Sequence, residues 1–287
     1  LIRSLESSSP LISSRRNPLV KRLRSLATRV GREAEGLLLL EGTHLLQELL
    51  ARGKVPEEII ATEVWLERHQ ELAEHCSQAR WRIVTDEVLR GALTTVTPDG
   101  VACLSPLDGL PPVPSALDFV LVLDRIQDPG NLGTLLRTAL AADVNAVWMG
   151  GGVDPLGTKV LRASAGALLQ LPHQRFGPSE EMAIQLLQQQ LQKLVASGLQ
   201  VVATLVPDPT KGDPPSPYWD LDWRRPTALV LGTEGAGLHP DLQACCTHAV
   251  TLPHSSRVES LNVASAAVPL LLERRRATMT ATSQQFG

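Results

Sequence analysis

The chain has 287 residues, of which 43% are hydrophobic and 20% are charged, and its formal net charge is −3. This composition predicts one or two globular domains with hydrophobic cores, and the near-neutral charge by itself indicates no particular partner. The cysteines form neither a Cys-x-x-Cys pair nor a cluster with histidine, which argues against a zinc site or a disulfide framework and favours a reducing compartment. They are Cys76, Cys103, Cys245 and Cys246. No apolar run approaches the length of a membrane span.

The beginning of the chain is rich in serine and does not start with methionine. We predict that residues 1–14 form a flexible N-terminus. A cytoplasmic location is expected, or an organellar one if a transit peptide has been removed.

A basic segment follows, because every charged residue from Arg15 to Arg32 is arginine or lysine. Within it, leucines at positions 19, 23 and 26 lie at helical spacing, which predicts an amphipathic helix with its basic residues on the opposite face. Such a run is usually a solvated surface, but it is also how proteins contact phosphate groups. The candidate phosphate-binding residues are Arg15, Arg16, Lys21, Arg22 and Arg24.

Residues 15–107 are predicted to form a small α/β domain. Short apolar runs within residues 36–42, 59–61, 81–84 and 101–104 indicate strands, with helical segments between them. Glu41 and His44 are interpreted as the start of a capped helix in preference to catalytic groups. A proline-rich linker at residues 108–116 then separates this domain from a second one at residues 117–276.

The second domain begins with the apolar run Phe119–Leu123, which is typical of a central parallel strand. Shortly after it, Asp128-Pro-Gly-Asn131 predicts a turn, because proline fixes φ while glycine and asparagine tolerate positive φ. The helix that follows carries Arg137, six positions after Asn131.

Further along, we predict a strand at 147–149, an amphipathic helix at 180–197 and a strand that ends near Thr204. Residues 207–226 are predicted to form a long loop. Its aromatic residues either pack the loop down, which is favoured, or stack on a nucleobase. They are Tyr218, Trp219 and Trp223.

Two more short apolar runs, 228–231 and 249–252, predict parallel strands whose carboxyl ends open into loops, where ligands bind in open α/β sheets. The first loop contains Gly232-Thr-Glu234-Gly-Ala-Gly237, which fits an ordinary tight turn and matches neither the dinucleotide fingerprint nor the phosphate-loop spacing. The second contains Ser260-Leu261-Asn262, whose residue types fit a simple helix start. Together the two loops predict one cavity suited to a polar ligand.

These segments resemble the SpoU branch of the SPOUT methyltransferases, which methylate RNA at the ribose 2′-oxygen. The family's first motif, Asp-Pro-x-Asn-x-Gly-x-x-x-Arg-x-Ala, matches from Asp128 to Ala139, and its second and third motifs match Leu231–Leu238 and Leu252–Ala264. The resemblance implies an α/β fold whose C-terminal parallel-sheet domain contains a deep trefoil knot.

The N-terminal region also resembles the substrate-binding domain that precedes many SpoU catalytic domains. The matching residues are Asn17–Lys21, Glu41–Leu45 and Thr97–Val101. In the family this α/β domain is similar to an RNA-binding ribosomal-protein fold, so the resemblance implies that residues 15–107 bind RNA.

The resemblance also implies a cofactor and the residues of the site. S-adenosylmethionine is expected near Thr204, Gly232, Leu252, Leu261 and Asn262, and no metal is expected. The catalytic residues expected from the family are Arg137, Asn131, Glu234, Ser260 and Asn262. Because a guanidinium is hardly ever deprotonated in proteins, our hypothesis is that Arg137 clamps a phosphate and stabilises the alkoxide without acting as a base.

The chain departs from the family pattern at His254, Ser256 and Ala264, which bear on the cofactor contacts. We expect His254 to be a surface or interface residue. Pro269 is expected to bend or shorten the last helix, which in relatives helps to form a dimer, so a homodimer is expected here. Residues 277–287 are predicted to be a flexible tail.

The sequence therefore predicts an S-adenosylmethionine-dependent methyltransferase that modifies a ribose 2′-hydroxyl in structured RNA, in ribosomal RNA more than in transfer RNA. The alternative is a non-catalytic RNA-binding ribosome-assembly factor on the same fold, which the joint presence of the five expected catalytic residues argues against. A nucleotide-dependent enzyme is a distant third, because the chain has no phosphate-loop lysine.

Overall fold

A computed structural model describes residues 10–208, 214–233 and 235–284, with side chains described up to residue 279. Residues 1–9 and 285–287, which belong to the predicted flexible ends, lie outside the described residues, as does Glu234. The chain divides into two compact units. Unit 1 comprises residues 1–111 and 154–169, and unit 2 comprises residues 112–153 and 170–287.

Unit 1 is built on a four-stranded sheet in the order β1-β4-β2-β3. Its strands are β1 (Leu37–Glu41), β2 (Glu58–Ala61), β3 (Arg80–Ile83) and β4 (Val101–Pro106). β4 runs antiparallel to both of its neighbours, whereas β2 and β3 are parallel. In the described residues of this unit the helices are Pro18–Leu26, Arg29–Glu35, Thr43–Leu50, Glu63–Arg68, Gln70–His75, Asp86–Ala92 and Thr158–Ala163. A single-turn helix, Leu107–Gly109, follows β4.

The helix Pro18–Leu26 confirms the amphipathic helix that was predicted from the spacing of its leucines. Asn17 caps its N-terminus by accepting a hydrogen bond from the backbone N–H of Leu19, and Pro18 occupies the first turn, where its missing N–H costs nothing. Leu19, Leu23 and Leu26 are buried in the core, so the basic residues of the helix are left at its surface.

Unit 2 is built on a seven-stranded sheet in which every pairing is parallel. The strand order is β7-β6-β5-β10-β8-β11-β9. The strands are β5 (Phe119–Asp124), β6 (Ala146–Gly150), β7 (His173–Phe176), β8 (Gln200–Thr204), β9 (Ser216–Pro217), β10 (Thr227–Leu231) and β11 (His248–Thr251). The helices are Pro129–Ala141, Glu180–Ala196, Pro240–Gln243 and Val263–Gln284. Short 3₁₀ turns lie at Ala167–Leu169 in unit 1 and at Tyr218–Asp220 in unit 2.

The central strands of unit 2 are buried along their whole length, which explains their unbroken apolar sequences. The fold is therefore α/β with a large parallel sheet, as predicted. The trefoil knot and the similarity of unit 1 to a ribosomal protein stay predictions, as do the predicted domain boundaries.

The final helix corrects one half of the expectation for Pro269, its shortening, while a bend at this proline stays a prediction. It is not shortened at Pro269, because it continues to Gln284 and so includes the first part of the predicted tail. Proline removes a single N–H donor from the helix. Burial of Leu270 and Leu271, together with packing against the helix Pro129–Ala141, holds the segment in place despite that loss.

The predicted long loop before β10 contains a short strand, β9, and an anchoring tryptophan. The Trp223 side chain is buried, and its indole N–H donates to the carbonyl of Tyr218 over 2.6 Å. Trp219 is exposed. The favoured interpretation, in which the aromatic residues pack the loop down, is confirmed for Trp223. Within the described residues, no helix is long and apolar enough to cross a membrane.

Candidate active site

The three motif loops leave the same edge of the unit 2 sheet. The end of β5 is in register with the end of β10 at the pair Leu123–Leu231, and Thr204 at the end of β8 pairs with Val250 of β11. In a parallel sheet the carboxyl ends of neighbouring strands lie side by side, and ligands bind where their loops meet. The sheet therefore places the loops after β5, β8, β10 and β11 next to one another.

The first motif forms the start of the helix Pro129–Ala141. Asp128 is its N-cap, with Oδ1 accepting from the backbone N–H of Asn131 over 2.7 Å, and Pro129 follows at the first helical position. This arrangement explains the turn predicted from Asp-Pro-Gly-Asn. Arg137 lies further along the same helix with an exposed side chain.

The third motif meets the first through a direct hydrogen bond. Asn262 Nδ2 donates to Asn131 Oδ1 over 3.0 Å, although the two residues are 131 positions apart. Asn262 Oδ1 also accepts from the backbone N–H groups of Ala264 and Ser265, at 3.0 and 3.1 Å, so this residue starts the final helix as well. Its neighbours Ser260 and Leu261 are exposed.

The second motif is a closed turn made possible by glycine. Thr233 and Gly237 exchange two backbone hydrogen bonds of 3.1 and 3.0 Å. A Cβ on Gly232 would lie 2.3 Å from the backbone carbon of Gly237, so no other residue fits there without moving the turn. Gly235 and Gly237 both have positive φ. The tight-turn interpretation is confirmed, while Glu234 lies outside the described residues.

Thr204 ends β8 at the same edge of the sheet. Its hydroxyl is buried and has no hydrogen-bond partner among the described residues. A buried hydroxyl without a partner is costly, and a bound water or a ligand can supply the missing partner. This observation fits the expectation that a polar cofactor lies beside Thr204.

The three residues that depart from the family pattern differ in their burial. His254 is half-buried, and its Nδ1 lies 2.7 Å from the carbonyl oxygen of Leu252. This imidazole therefore contacts the backbone of an expected cofactor-binding residue. Ala264 is buried, and Ser256 is exposed.

Asp124 supports the candidate site and was not predicted from the sequence. Its carboxylate is fully buried at the end of β5, where Oδ2 accepts from the backbone N–H of His239 over 2.9 Å. Because His239 directly follows the second motif, Asp124 ties that loop to the strand that leads into the first motif. A charged residue at the end of an otherwise apolar strand was the signal that could have identified it.

Arg125 supports the same carboxylate. Its Nε and Nη2 donate to Asp124 over 2.8 and 3.1 Å, and its Nη1 donates to Glu180 over 2.9 Å. The hydrogen bond with Asp124 raises the pKa of Arg125 above its ordinary value, so the arginine stays charged. Arg125 has a φ of 54°, a conformation that non-glycine residues adopt rarely, which shows that the surrounding contacts determine its position.

The candidate phosphate-binding residues of unit 1 have different surroundings. Arg16, Lys21 and Arg24 are exposed, and Arg15 is exposed beside Glu87 at 3.3 Å. Arg22 instead donates to Glu35 and Glu58 over 2.7 and 2.6 Å. Burial disfavours charge on Glu58, but its contacts with Arg22 and Arg82 outweigh that effect and lower its pKa.

Comparison with known proteins identifies the class of this chain. Residues 118–271 match the model of the SpoU rRNA methylase family, and residues 17–103 match the MRM3-like substrate binding domain. The chain belongs to the SpoU rRNA methylase family and is a methyltransferase.

Individual relatives cover almost the whole chain. An uncharacterized tRNA/rRNA methyltransferase of Synechocystis sp. is 42% identical over 97% of this chain and 98% of its own length. The 23S rRNA (guanosine(2553)-2′-O)-methyltransferase RlmP of Bacillus subtilis is 31% identical over 92% of this chain and 98% of its own length. The crystal structure of an AdoMet-bound rRNA methyltransferase from Sinorhizobium meliloti superposes with a TM-score of 0.77 at 26% identity, covering 93% of this chain and 98% of the other.

Proposed function

We propose that this protein transfers a methyl group from S-adenosylmethionine to a ribose 2′-hydroxyl of structured RNA, and that the RNA is ribosomal. The observation that carries the proposal is the hydrogen bond between Asn131 and Asn262, which joins the first and third motifs at the ligand-binding edge of the sheet. The names of the relatives support the reaction, because RlmP of Bacillus subtilis is named as a 23S rRNA guanosine 2′-O-methyltransferase.

The cofactor would be held mainly by backbone groups. We assign its contacts to the turn at Gly232, the backbone of Leu252 and Leu261, and the side chains of Thr204 and Asn262. The buried hydroxyl of Thr204 gains a partner when the cofactor binds, which favours the bound state. Bound S-adenosylmethionine supplies a methyl group on a positively charged sulfur.

The chain's own residues would orient the RNA and stabilise the charge that develops on the 2′-oxygen. The exposed guanidinium of Arg137 is suited to a phosphate or an alkoxide, because it carries a planar array of N–H donors and keeps its charge. The hydrogen bond between Asn131 and Asn262 joins the first and third motifs. We assign Glu234 and Ser260 to positioning the ribose, and the Glu234 carboxylate to accepting its proton, directly or through water.

RNA binding by unit 1 is the second part of the proposal. Arg15, Arg16, Lys21 and Arg24 are exposed and would contact phosphates, which makes binding weaken as salt concentration rises. Arg22 would contribute less, because two glutamates already neutralise it.

We also propose that the protein is a homodimer formed through the final helix. Val268, Leu272 and Met279 are exposed apolar residues at helical spacing on that helix, with 36%, 42% and 62% of their surfaces accessible. A second copy would cover this stripe. Light scattering coupled to size-exclusion chromatography should give the mass of two chains, and the Leu272→Asp variant should run as one.

The central experiment supplies the purified protein with ribosomal RNA and tritiated S-adenosylmethionine. We expect label at a single nucleotide whose 2′-oxygen is methylated, and none in an RNA carrying a 2′-deoxyribose there. Isothermal titration distinguishes the alternative, because a ribosome-assembly factor without activity would bind RNA and leave S-adenosylmethionine unbound.

A further inference from the structure

Unit 1 contains a cleft that the expected methyl transfer does not use. The cleft has a volume of about 270 Å³ and lies among the end of β1, the start of the helix Thr43–Leu50, the segment 93–99 and the helix Thr158–Ala163. This volume lies just below the range of roughly 300–1,000 Å³ that is typical for drug-sized ligands, so the cleft suits a smaller group.

A buried carboxylate builds the wall of this cleft. The side chain of Glu41 is only 1% exposed, yet it accepts hydrogen bonds from five donor groups: the backbone N–H and hydroxyl of Thr94, the backbone N–H and hydroxyl of Thr95, and Nη1 of Arg162. These bonds fix the segment after residue 93 and the helix that carries Arg162. The cleft is therefore preorganised by a side chain whose own hydrogen-bonding capacity is used up.

Other polar side chains that line the cleft can still form hydrogen bonds with a ligand. Arg162 uses Nη1 for Glu41 and Thr94, while its Nε and Nη2 have no partner among the described residues. Asp99 accepts from the backbone N–H of Thr43 with Oδ2 over 2.8 Å, and its Oδ1 has no donor in the described part of the chain. The cleft thus presents hydrogen-bond donors on one side chain and an acceptor on another.

The remaining lining residues complete a site for a flat ring. Leu45 and Val101 are buried apolar residues, and His44 contributes an exposed aromatic ring on which a base can stack. A phosphate does not fit, since Asp99 would repel it and Glu41 already neutralises Arg162. A neutral group with both donors and acceptors does fit.

We propose that this cleft binds one unpaired guanine of the RNA. Guanine presents two adjacent N–H donors, at N1 and N2, that match a carboxylate such as Asp99, and two acceptors, O6 and N7, that match an arginine such as Arg162. Uracil offers a single N–H between two carbonyl oxygens, which a carboxylate repels. Single-stranded RNA is commonly recognised in this way, through bases that are turned out, stacked and hydrogen-bonded along their edges. This inference rests on the proposed RNA substrate and adds to it a base-specific contact in unit 1.

The test measures binding of two fluorescein-labelled RNA hexamers to the full chain by fluorescence anisotropy at one fixed salt concentration. One probe contains uridine only, and the other has guanosine at its third position. We expect the wild-type protein to bind the guanosine probe about tenfold more tightly, the range expected of one good bidentate contact to a base.

The Asp99→Asn variant gives the sharpest outcome. Asparagine keeps an oxygen that can cap the helix at Thr43, but it replaces the remaining acceptor with an amide donor. Removing a negative charge should tighten binding of any RNA. The inference predicts the opposite for the guanosine probe, which should lose its advantage over the uridine probe. Asp108→Asn removes the same charge from an exposed position outside the cleft and should preserve that advantage.

A second pair of variants tests stacking. His44→Ala should lower the affinity for the guanosine probe by roughly tenfold. His75→Ala, at an exposed position outside the cleft, should leave this affinity unchanged. The inference is overturned if the wild-type protein does not prefer guanosine or if Asp99→Asn retains the preference. Neither result would affect the proposed methyl transfer, which fails instead if S-adenosylmethionine does not bind.

Discussion

The buried carboxylate at the cleft of unit 1 and a buried hydroxyl at the motif edge of unit 2 differ in how far the protein itself satisfies them. In unit 1 the most buried charges are satisfied by the protein itself, as when Glu41 accepts from Thr94, Thr95 and Arg162. At the motif edge of unit 2, the Thr204 hydroxyl is buried without a partner among the described residues, and the charge of Arg137 is exposed. A satisfied group stabilises the fold, whereas an unsatisfied one is available to a ligand. On this basis we expect substitution of Glu41 to affect mainly stability, and substitution of Thr204 or Arg137 to affect mainly the reaction.

The largest effect is expected at Arg137. Replacing Arg137 by Ala should lower the rate of methyl transfer by roughly 10²- to 10³-fold, the range found when one preorganised donor to a developing oxyanion is removed. The melting temperature should stay at the wild-type value because the side chain is exposed. Single-turnover kinetics with labelled S-adenosylmethionine measure the rate.

The Arg137→Lys variant is the control for this prediction. Lysine keeps the charge and loses the planar fork, so its rate should lie between those of the wild-type and alanine proteins. Wild-type turnover in the lysine variant would contradict the hypothesis that the planar guanidinium of Arg137 clamps a phosphate.

The second largest effect is on stability and falls in unit 1. Glu41→Gln keeps the shape of the side chain but leaves Arg162 without its counter-ion and should lower the free energy of unfolding by about 2–3 kcal/mol. Arg162 is 30% exposed, so water reduces the cost. Urea denaturation of the full chain, followed by far-UV circular dichroism, gives the value.

Glu33→Gln is the matched control for Glu41. The Glu33 carboxylate pairs with Arg29 at the surface, with both side chains about half exposed, so its loss should change little. Equal destabilisation by the two variants would contradict the claim that the buried contacts of Glu41 stabilise unit 1 more than the exposed pair of Glu33 and Arg29 does.

Substitution of Asp124 tests whether a buried, fully hydrogen-bonded carboxylate of unit 2 also supports the candidate active site. Asparagine at this position can still accept from the His239 N–H, but it places an amide donor against Arg125. We expect Asp124→Asn to raise the KM for S-adenosylmethionine by about tenfold with a smaller change in kcat, because the second motif shifts while Arg137 stays in place.

Asp222→Asn provides the comparison for Asp124. The Asp222 carboxylate contacts Arg224 at the surface, and the variant should behave as the wild type. If Asp124→Asn lowers kcat and leaves KM unchanged, Asp124 does not position the cofactor loop.

Much of the fold could be predicted because its signals are local. Apolar runs such as Phe119–Leu123 mark the strands that are buried on both faces, and the turn after Asp128 follows from proline, glycine and asparagine. The three motifs are also short, contiguous stretches. Each of these features depends on residues that are close in sequence.

The missed features depend on residues that are far apart in sequence. Asp124 and His239 are 115 positions apart, and Glu41 and Arg162 are 121 apart. Hydrophobic periodicity carries no information about such pairs, so Glu41 was interpreted only as the start of a helix. Nor did any local pattern indicate that residues 154–169 belong to unit 1, because their sequence lies between two strands of the unit 2 sheet.

The smallest effect, and the most direct test of the comparison, comes from two threonines of unit 2 whose hydroxyl groups are buried. The hydroxyl of Thr227 is satisfied, since it donates to the carbonyl of Arg225 over 2.7 Å and accepts from Gln200 over 2.9 Å. Replacing Thr227 by Val should therefore lower the free energy of unfolding by about 1–2 kcal/mol. Thr204→Val removes a buried hydroxyl that has no partner among the described residues, and it should raise the unfolding free energy of the cofactor-free protein by up to about 1 kcal/mol.

The same Thr204→Val variant should bind S-adenosylmethionine about fivefold more weakly, because the ligand loses one hydrogen bond worth about 1 kcal/mol. Thr204→Ser keeps the hydroxyl and should bind as the wild type does, which separates the hydrogen bond from side-chain packing. Thermal unfolding without cofactor and isothermal titration with it measure the two quantities on the same samples. A Thr204→Val protein that is both more stable and weaker in binding assigns the hydroxyl to the ligand. Wild-type affinity in that variant would show that the cofactor does not use this group, and the unsatisfied oxygen would then be a feature of packing alone.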